Sequence, residues 1–160
     1  MLKSKYPYIL PQFESNILNA LKRLCLTCGI IVGDNRKCSV CKELAPVVKQ
    51  QRGYYIDIHF RGKAQSITIT QLKEQLARVK LEDTTRTLGM EKHPSEYIVN
   101  YVMIASPVIR PDRRVQNTVK SQDDYTVSLQ TITKHVLMLN EMSESDSRFA
   151  KLYDSFVQMI

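Results

Sequence analysis

The sequence is short of glycine and of every common catalytic signature. Only five glycines occur in 160 residues, and none forms a Gly-rich loop that could cradle a phosphate. No G-x-S-x-G or H-E-x-x-H motif is present. No DxDxD-type run gathers the carboxylates that a two-metal nucleotidyl-transfer site needs. These absences exclude the usual NTPase, hydrolase, metalloprotease and polymerase active sites. No apolar stretch approaches the ~18–20 residues of a membrane span. The start, MLKSKYPYILPQFES, has no continuous apolar core and no small-residue cleavage site, so no signal peptide is expected. Internal repeats and low-complexity tracts are not evident in the residue pattern.

What is present begins with cysteine. All four cysteines lie between positions 25 and 41, in CLTCGIIVGDNRKCSVC. A disulfide framework would spread them along the chain. Their clustering predicts a reducing, intracellular compartment, and the sequence does not distinguish nucleus, cytoplasm, viral factory and virion. Two C-x-x-C knuckles supply four thiolates, the complete tetrahedral shell of one structural zinc ion, with no open position for catalysis. The metal ligands predicted are Cys25, Cys28, Cys38 and Cys41. The competing readings are a redox dithiol and plain core cysteines. A thioredoxin-like site would carry one C-x-x-C in a βαβ context, which is missing, and four free core cysteines rarely arrive in two such pairs. His59 and His93 are tempting extra ligands, but four thiolates already close the shell. Both are expected to be hydrogen-bonded structural histidines, and His135 has no obvious partner.

The net charge is +7, and residues 1–63 carry all of it: 11 Lys+Arg against 4 Asp+Glu, whereas residues 64–160 carry 12 against 12. A basic surplus beside a zinc ribbon suits a nucleic-acid backbone or an acidic protein surface. The alternative is a solvated surface. Lys22, Arg23, Lys37 and Lys42 also flank the knuckles closely enough to offset the −2 charge of a Zn(Cys)₄ centre.

The apolar spacing predicts a helix over 11–24, with Pro11 in its first turn and Phe13, Ile17, Leu18, Leu21 and Leu24 on one stripe. Alternation predicts a strand over 53–60, a turn at Gly62 and a second strand over 66–70. Helical period returns over 71–81, and a short helix over 82–88 ends at Gly89. Residues 93–111 read as a buried strand with a stiff, Pro-bounded exit, and 112–121 as a polar loop. A helix over 122–140 carries Tyr125, Leu129, Ile132, Val136 and Leu139, with Ser121 and Asp124 spaced as a capping box. Asp123 and Asp124 suit the helix dipole better than a metal. A last helix runs over 148–160. The fold class predicted is α+β: a mostly helical domain with a small Cys₄ zinc ribbon and a short β-hairpin. It divides as a basic zinc-ribbon region over 1–63 and a helical and extended region over 64–160, joined as one continuous domain.

The order of these motifs resembles the N-terminal clamp region of the largest subunit of multisubunit DNA-directed RNA polymerases, most closely the eukaryotic and large DNA-virus versions. In that family a helix leads into C-x-x-C-G, here Cys25, Cys28 and Gly29, and a second pair follows, here Cys38 and Cys41. A segment ending in V-R-P is matched by Pro107-Val-Ile-Arg110-Pro111. An acidic D-D/E-L-T then opens a helix with L-x-x-I, matched by Asp123-Asp124-Tyr125-Thr126 with Leu129 and Ile132. The resemblance covers about Tyr6 to Ile160. Departures are a single proline ahead of Arg110, His135 where an asparagine is common, a short inter-knuckle spacing, and the absence of a C-P-G-H element and of the NADFDGD catalytic loop.

The resemblance implies a clamp piece, structural and not catalytic by itself, that closes over DNA and the RNA–DNA hybrid together with other polymerase subunits or the rest of the largest subunit. Zinc would pin the ribbon, and Mg²⁺ would belong only to the assembled polymerase. Candidate contacts to nucleic acid or a partner are Lys22, Arg23, Arg36, Lys37, Lys42, Arg110, Arg113 and Arg114. Arg110 would offer a guanidinium to a phosphate or carboxylate, or else bridge two segments internally. A free-standing zinc-ribbon regulator that binds nucleic acid or bridges proteins is the second expectation, and a redox or metal-dependent enzyme is a poorly supported third.

Overall fold

The computed structural model describes residues 1–104, 106, 113–115, 118–121 and 124–160, without the side chains of 113–115 and 118–121. The Pro107–Pro111 motif, Gln122 and Asp123 lie outside the described residues. So do the expected Pro-bounded exit and the role of Arg110. The capping box expected between Ser121 and Asp124 involves a side chain that is also outside them.

The chain forms β1 (Leu2–Ile9), a 3₁₀ turn (Pro11–Phe13), α1 (Glu14–Lys22), the cysteine ribbon, β2 (Val47–Arg52), β3 (Tyr55–Phe60), β4 (Lys63–Thr68), α2 (Ile69–Ala77) and α3 (Leu81–Leu88). A second 3₁₀ turn (Pro94–Tyr97) precedes β5 (Ile98–Val102), β6 (Arg113–Val115), β7 (Thr118–Ser121), α4 (Asp124–Glu141) and α5 (Phe149–Gln158). Helices and strands both contribute many of the described residues, so the expected mostly helical domain is a mixed one. β2, β3 and β4 form one antiparallel sheet in that order, while β1 pairs with β5 and β6 with β7. None of the described helices is long and apolar enough to cross a membrane.

The backbone groups into two compact units, Pro7–Val99 and Met1–Tyr6 with Asn100–Ile160, and the chain passes between them within β1 and again within β5. In the first unit, Ile17, Ala20 and Leu21 of α1 and the following Leu24 are fully buried, as the helical stripe predicts. Pro11 starts this segment as a 3₁₀ turn, and Phe13 stacks on Tyr97 with centroids 4.2 Å apart. Ile56 and Ile58 of β3 and Ile69, Leu72 and Leu76 of α2 are likewise buried. β3 and β4 are joined by Arg61 and Gly62, both at positive φ (53° and 73°). That is the two-residue type I′ geometry whose twist matches the flanking strands.

β4 ends earlier than the alternation of SITIT predicts. The Thr68 hydroxyl accepts the Gln71 N–H at 3.2 Å, and the Gln71 side chain accepts the Thr68 N–H at 3.0 Å. This capping box turns Ile69 into the first residue of α2. Further on, α3 stops at Gly89 (φ 66°), whose N–H bonds to the Thr85 carbonyl at 3.1 Å, as expected of a left-handed helix end.

In the second unit, Leu129, Ile132, Val136 and Leu139 of α4 and Phe149, Tyr153 and Phe156 of α5 are buried. Tyr6 meets Phe149 edge-on at 4.7 Å. The Asn140 carboxamide accepts the Lys5 N–H at 2.6 Å and donates to the Lys3 carbonyl at 3.2 Å, pinning the start of β1. Tyr125, expected on the α4 stripe, is 48% exposed. The expected loop over 112–121 contains the β6–β7 ribbon, with Val115 opposite Thr118. β-Branched residues at 115, 118 and 119 favour extended pairing despite the polar composition. Among the described residues of the expected buried strand over 93–111, β5 covers five, and Met103 and Ile104 beyond it are exposed.

Candidate metal centre

The four cysteines converge. Their sulfurs all lie within 4.8 Å of one another, and the Cys25 and Cys41 sulfurs are 3.4 Å apart without a disulfide. A tetrahedral ion with metal–sulfur bonds of about 2.3 Å sets sulfur–sulfur edges near about 3.8 Å. The donor set therefore fits one thiolate-bound ion closed on all four sides. Among the described residues this is the one cluster of metal-ligating side chains.

Two local folds related by a shift of 13 residues build the site. The Cys25 N–H bonds to the Ile30 carbonyl at 2.9 Å, and the Cys38 N–H to the Glu43 carbonyl at 2.8 Å. The Gly29 N–H reaches the Cys25 carbonyl at 2.8 Å, and the Lys42 N–H the Cys38 carbonyl at 3.1 Å. The Val32 N–H reaches the Arg23 carbonyl at 2.7 Å, and the Ala45 N–H the Arg36 carbonyl at 2.8 Å. Leu24 bridges Ile31 as Lys37 bridges Leu44. Even the small core beneath the sulfurs obeys the shift: Cys25 with Cys38, Cys28 with Cys41, and Val32 with Ala45. An internal repeat thus exists, over 23–32 and 36–45, although little more than Arg-x-Cys-x-x-Cys survives of it in the residues.

Each knuckle aims backbone dipoles at its first sulfur. Cys25 accepts the N–H groups of Cys28 and Thr27, and Cys38 those of Cys41 and Val40. At Cys25 burial outweighs these bonds and pushes the thiol up. At Cys38 the N–H groups dominate and bring it down to about 7. Cys28 is pushed up to about 12, chiefly by the neighbouring Cys41 sulfur and then by burial. Four sulfurs this close cannot all be anionic without a cation among them, so metal binding and loss of thiol protons are one event.

A polar latch ties the two knuckles to the sheet. The Thr27 hydroxyl donates to Glu43 at 2.5 Å, and Arg61, in the β3–β4 turn, donates to the other Glu43 oxygen and to Thr27 at 3.4 Å. The Thr27 hydroxyl, and after it Arg61, holds the Glu43 carboxyl below the ordinary range. The latch has no local sequence signature because its members are 16 to 34 residues apart.

The predicted contact residues divide. Lys22 and Lys37 are exposed, with no carboxylate partner among the described residues. Arg23 pairs with Asp34 at 3.0 Å. Arg36 turns inward, donating to the Ala45 and Pro46 carbonyls at 3.1 and 2.8 Å. The Lys42 ammonium donates to the Ser39 carbonyl at 2.8 Å. Arg113 and Arg114 lie on β6, with side chains outside the description.

No histidine joins the sulfurs. His93 bonds Val79 O through Nε2 at 2.8 Å and Ser95 Oγ through Nδ1 at 2.7 Å, as a structural histidine should. His135 donates from Nδ1 to the Thr131 carbonyl at 2.8 Å. His59, expected to be hydrogen-bonded, is exposed on β3 with no partner among the described residues. Its place in the alternation puts it on the sheet's solvent side. No protein-family model matches the chain, and no curated protein matches it.

Proposed function

We propose that the chain is a clamp piece of a DNA-directed RNA polymerase largest subunit, holding a shape over nucleic acid and leaving the chemistry to its partners. The observation that carries the reading is the closed four-sulfur ribbon entered directly from the packed α1, the one cluster of metal-ligating side chains among the described residues. The motif order supports it: helix, two knuckles, the Pro107–Pro111 segment, then a helix opened by Asp124-Tyr125-Thr126.

The ion is zinc on this reading, because a closed all-thiolate tetrahedron is its commonest structural site. Its role is to fix a ribbon too small to fold on its own core. Elemental analysis of the purified chain should return one zinc. Affinity purification from the source cells should return the chain with other polymerase subunits, including a polypeptide bearing the catalytic aspartate loop. A complete largest subunit with its own clamp in those cells, never co-sedimenting with this chain, would refute the proposal.

A second reading is a free-standing ribbon that binds nucleic acid or bridges proteins. Lys22 and Lys37, exposed beside the knuckles with no carboxylate partner among the described residues, favour it. It predicts binding of DNA or RNA by the isolated chain that falls steeply with salt. A flat salt response would count against it.

A further inference from the structure

The three-stranded sheet has two edges, and they differ. On β2 the register slips between Val48 and Gln50, leaving the exposed Lys49 as an unpaired extra residue. A bulge with a lysine on it is a common guard against pairing with another strand. β4 has no such bulge. Its six residues pair with β3 one for one, from Lys63 opposite Phe60 to Thr68 opposite Tyr55. It contains no proline, and Lys63, Ala64, Gln65 and Ser66 are all exposed.

The turn fixes which backbone groups of β4 face outward. In a two-residue hairpin the residues flanking the loop, Phe60 and Lys63, exchange both hydrogen bonds, and every second pair does the same. Lys63, Gln65 and Ile67 are therefore spent on β3. Ala64, Ser66 and Thr68 point the other way. Thr68 is already satisfied by the Gln71 side chain at 3.0 Å. Ala64 and Ser66 have no backbone partner on that side among the described residues. Two N–H and two C=O groups stand in a row, on small side chains that let another backbone approach.

We infer that the β4 edge is a docking site for an extended acidic segment of a partner protein, which adds as a fourth strand. Main-chain bonding to Ala64 and Ser66 supplies the attachment. Charge selects the occupant. The sheet and its turns carry Lys49, Arg52, Arg61 and Lys63 against Asp57 alone over residues 47–68. Arg52 is neutralised by Asp57 and Arg61 by Glu43, which leaves Lys63 at the head of the open edge with no carboxylate among the described residues. A second copy of this chain would bring another uncompensated Lys63 and no free carboxylate on its own β4 edge to answer the first, whereas an acidic strand supplies one. This inference is independent of the polymerase reading and stands on the edge geometry.

The test uses the metal-loaded full chain and an acetylated, amidated peptide of alternating Glu and Val, eight residues long. Its counterpart with alternate amides N-methylated cannot complete the ladder. Amide resonances of Ala64 and Ser66 should move on titration with the first peptide, and their hydrogen exchange should slow at least tenfold. The methylated peptide and an alternating Lys-Val peptide should leave them unchanged. Ala64→Pro removes one outward donor at an edge position that tolerates proline. It should weaken binding at least tenfold while the amide spectrum of the cysteine ribbon stays native. Lys63→Glu should weaken it without removing any backbone donor. Unmoved Ala64 and Ser66 amides, equal binding by the Lys-Val peptide, undiminished binding by Ala64→Pro, or a dimer that already protects these amides without peptide would each overturn the proposal.

Discussion

The two knuckles share one hydrogen-bond pattern and differ in what surrounds it. The first grows out of α1: Leu24 is fully buried, Ile31 is 8% exposed, and Gly29 occupies the left-handed position after its second cysteine. In the second, Lys37 replaces Leu24, Leu44 replaces Ile31 and is 65% exposed, and Lys42 takes the left-handed position at φ 62°. The same backbone is thus held by core packing on one side and by local hydrogen bonds on the other, where an ion bound by the four sulfurs would add the most. One knuckle is an anchor, and its repeat is a more exposed one that an ion held by all four sulfurs would keep in register.

Metal removal should break the comparison most. A structural ion of this kind contributes roughly 10–16 kcal/mol of apparent binding energy to folding. Stripping it with a chelator should cost the second knuckle first. Amide exchange at Lys42 and Ala45 should rise toward the unfolded rate while Val32 keeps measurable protection through its bond to Arg23 and the packed α1. Cys25→Ser and Cys38→Ser should both abolish stoichiometric metal, because the ion needs all four sulfurs. Equal loss of protection in both knuckles would show that α1 anchors neither.

Next in size is the left-handed position itself. Gly29→Ala places a Cβ 3.0 Å from the Cβ of Arg78 at φ 68°. An L residue in that conformation costs about 1–2 kcal/mol, and the close approach adds to it, so denaturant unfolding should show a loss of about 2 kcal/mol. The mirror experiment, Lys42→Gly, relieves the same strain. The gain is reduced by glycine's greater unfolded-state freedom, and a net stabilisation of about 0.5–1 kcal/mol is expected. If both substitutions destabilise, the two positions are not equivalent.

The sequence reveals the cysteine cluster because ligand chemistry is local: spacing alone brings two thiolates of a knuckle to one ion. The 13-residue repeat is hidden because the pattern is kept by backbone bonds, which tolerate Gly29 for Lys42 and Ile31 for Leu44. Helices were legible where apolar period and stop signals coincided, as at α1 and at Gly89. β1 and β2 carry no legible alternation, for different reasons. Tyr6 and Tyr8 are buried, but Pro7 between them masks the alternation. VVKQQR has no alternation because it is a bulged edge strand. The β4–α2 junction was misplaced because β-branched Ile69 reads as strand until the Thr68–Gln71 capping box is seen. The Pro107–Pro111 segment, which carries part of the resemblance, lies outside the described residues.

The smallest effect concerns the latch that joins both knuckles to the β3–β4 turn. Glu43 accepts from Thr27 of the first knuckle and from Arg61 of the sheet, and its carboxyl is held below the ordinary range by those bonds. A depressed folded-state value means that the unfolded chain binds the proton more readily. Its stabilisation is therefore complete above the unfolded value, near about 4.3, and disappears as pH falls through the lower folded value. Glu43→Gln removes this linkage and keeps the shape. The stability difference between the native chain and Glu43→Gln should be flat from neutral pH to about 5 and shrink below it. High salt should reduce that difference, since Arg61 is largely exposed. A difference that persists unchanged at low pH would mean that Glu43 acts by packing and that the knuckles are joined by the ion alone.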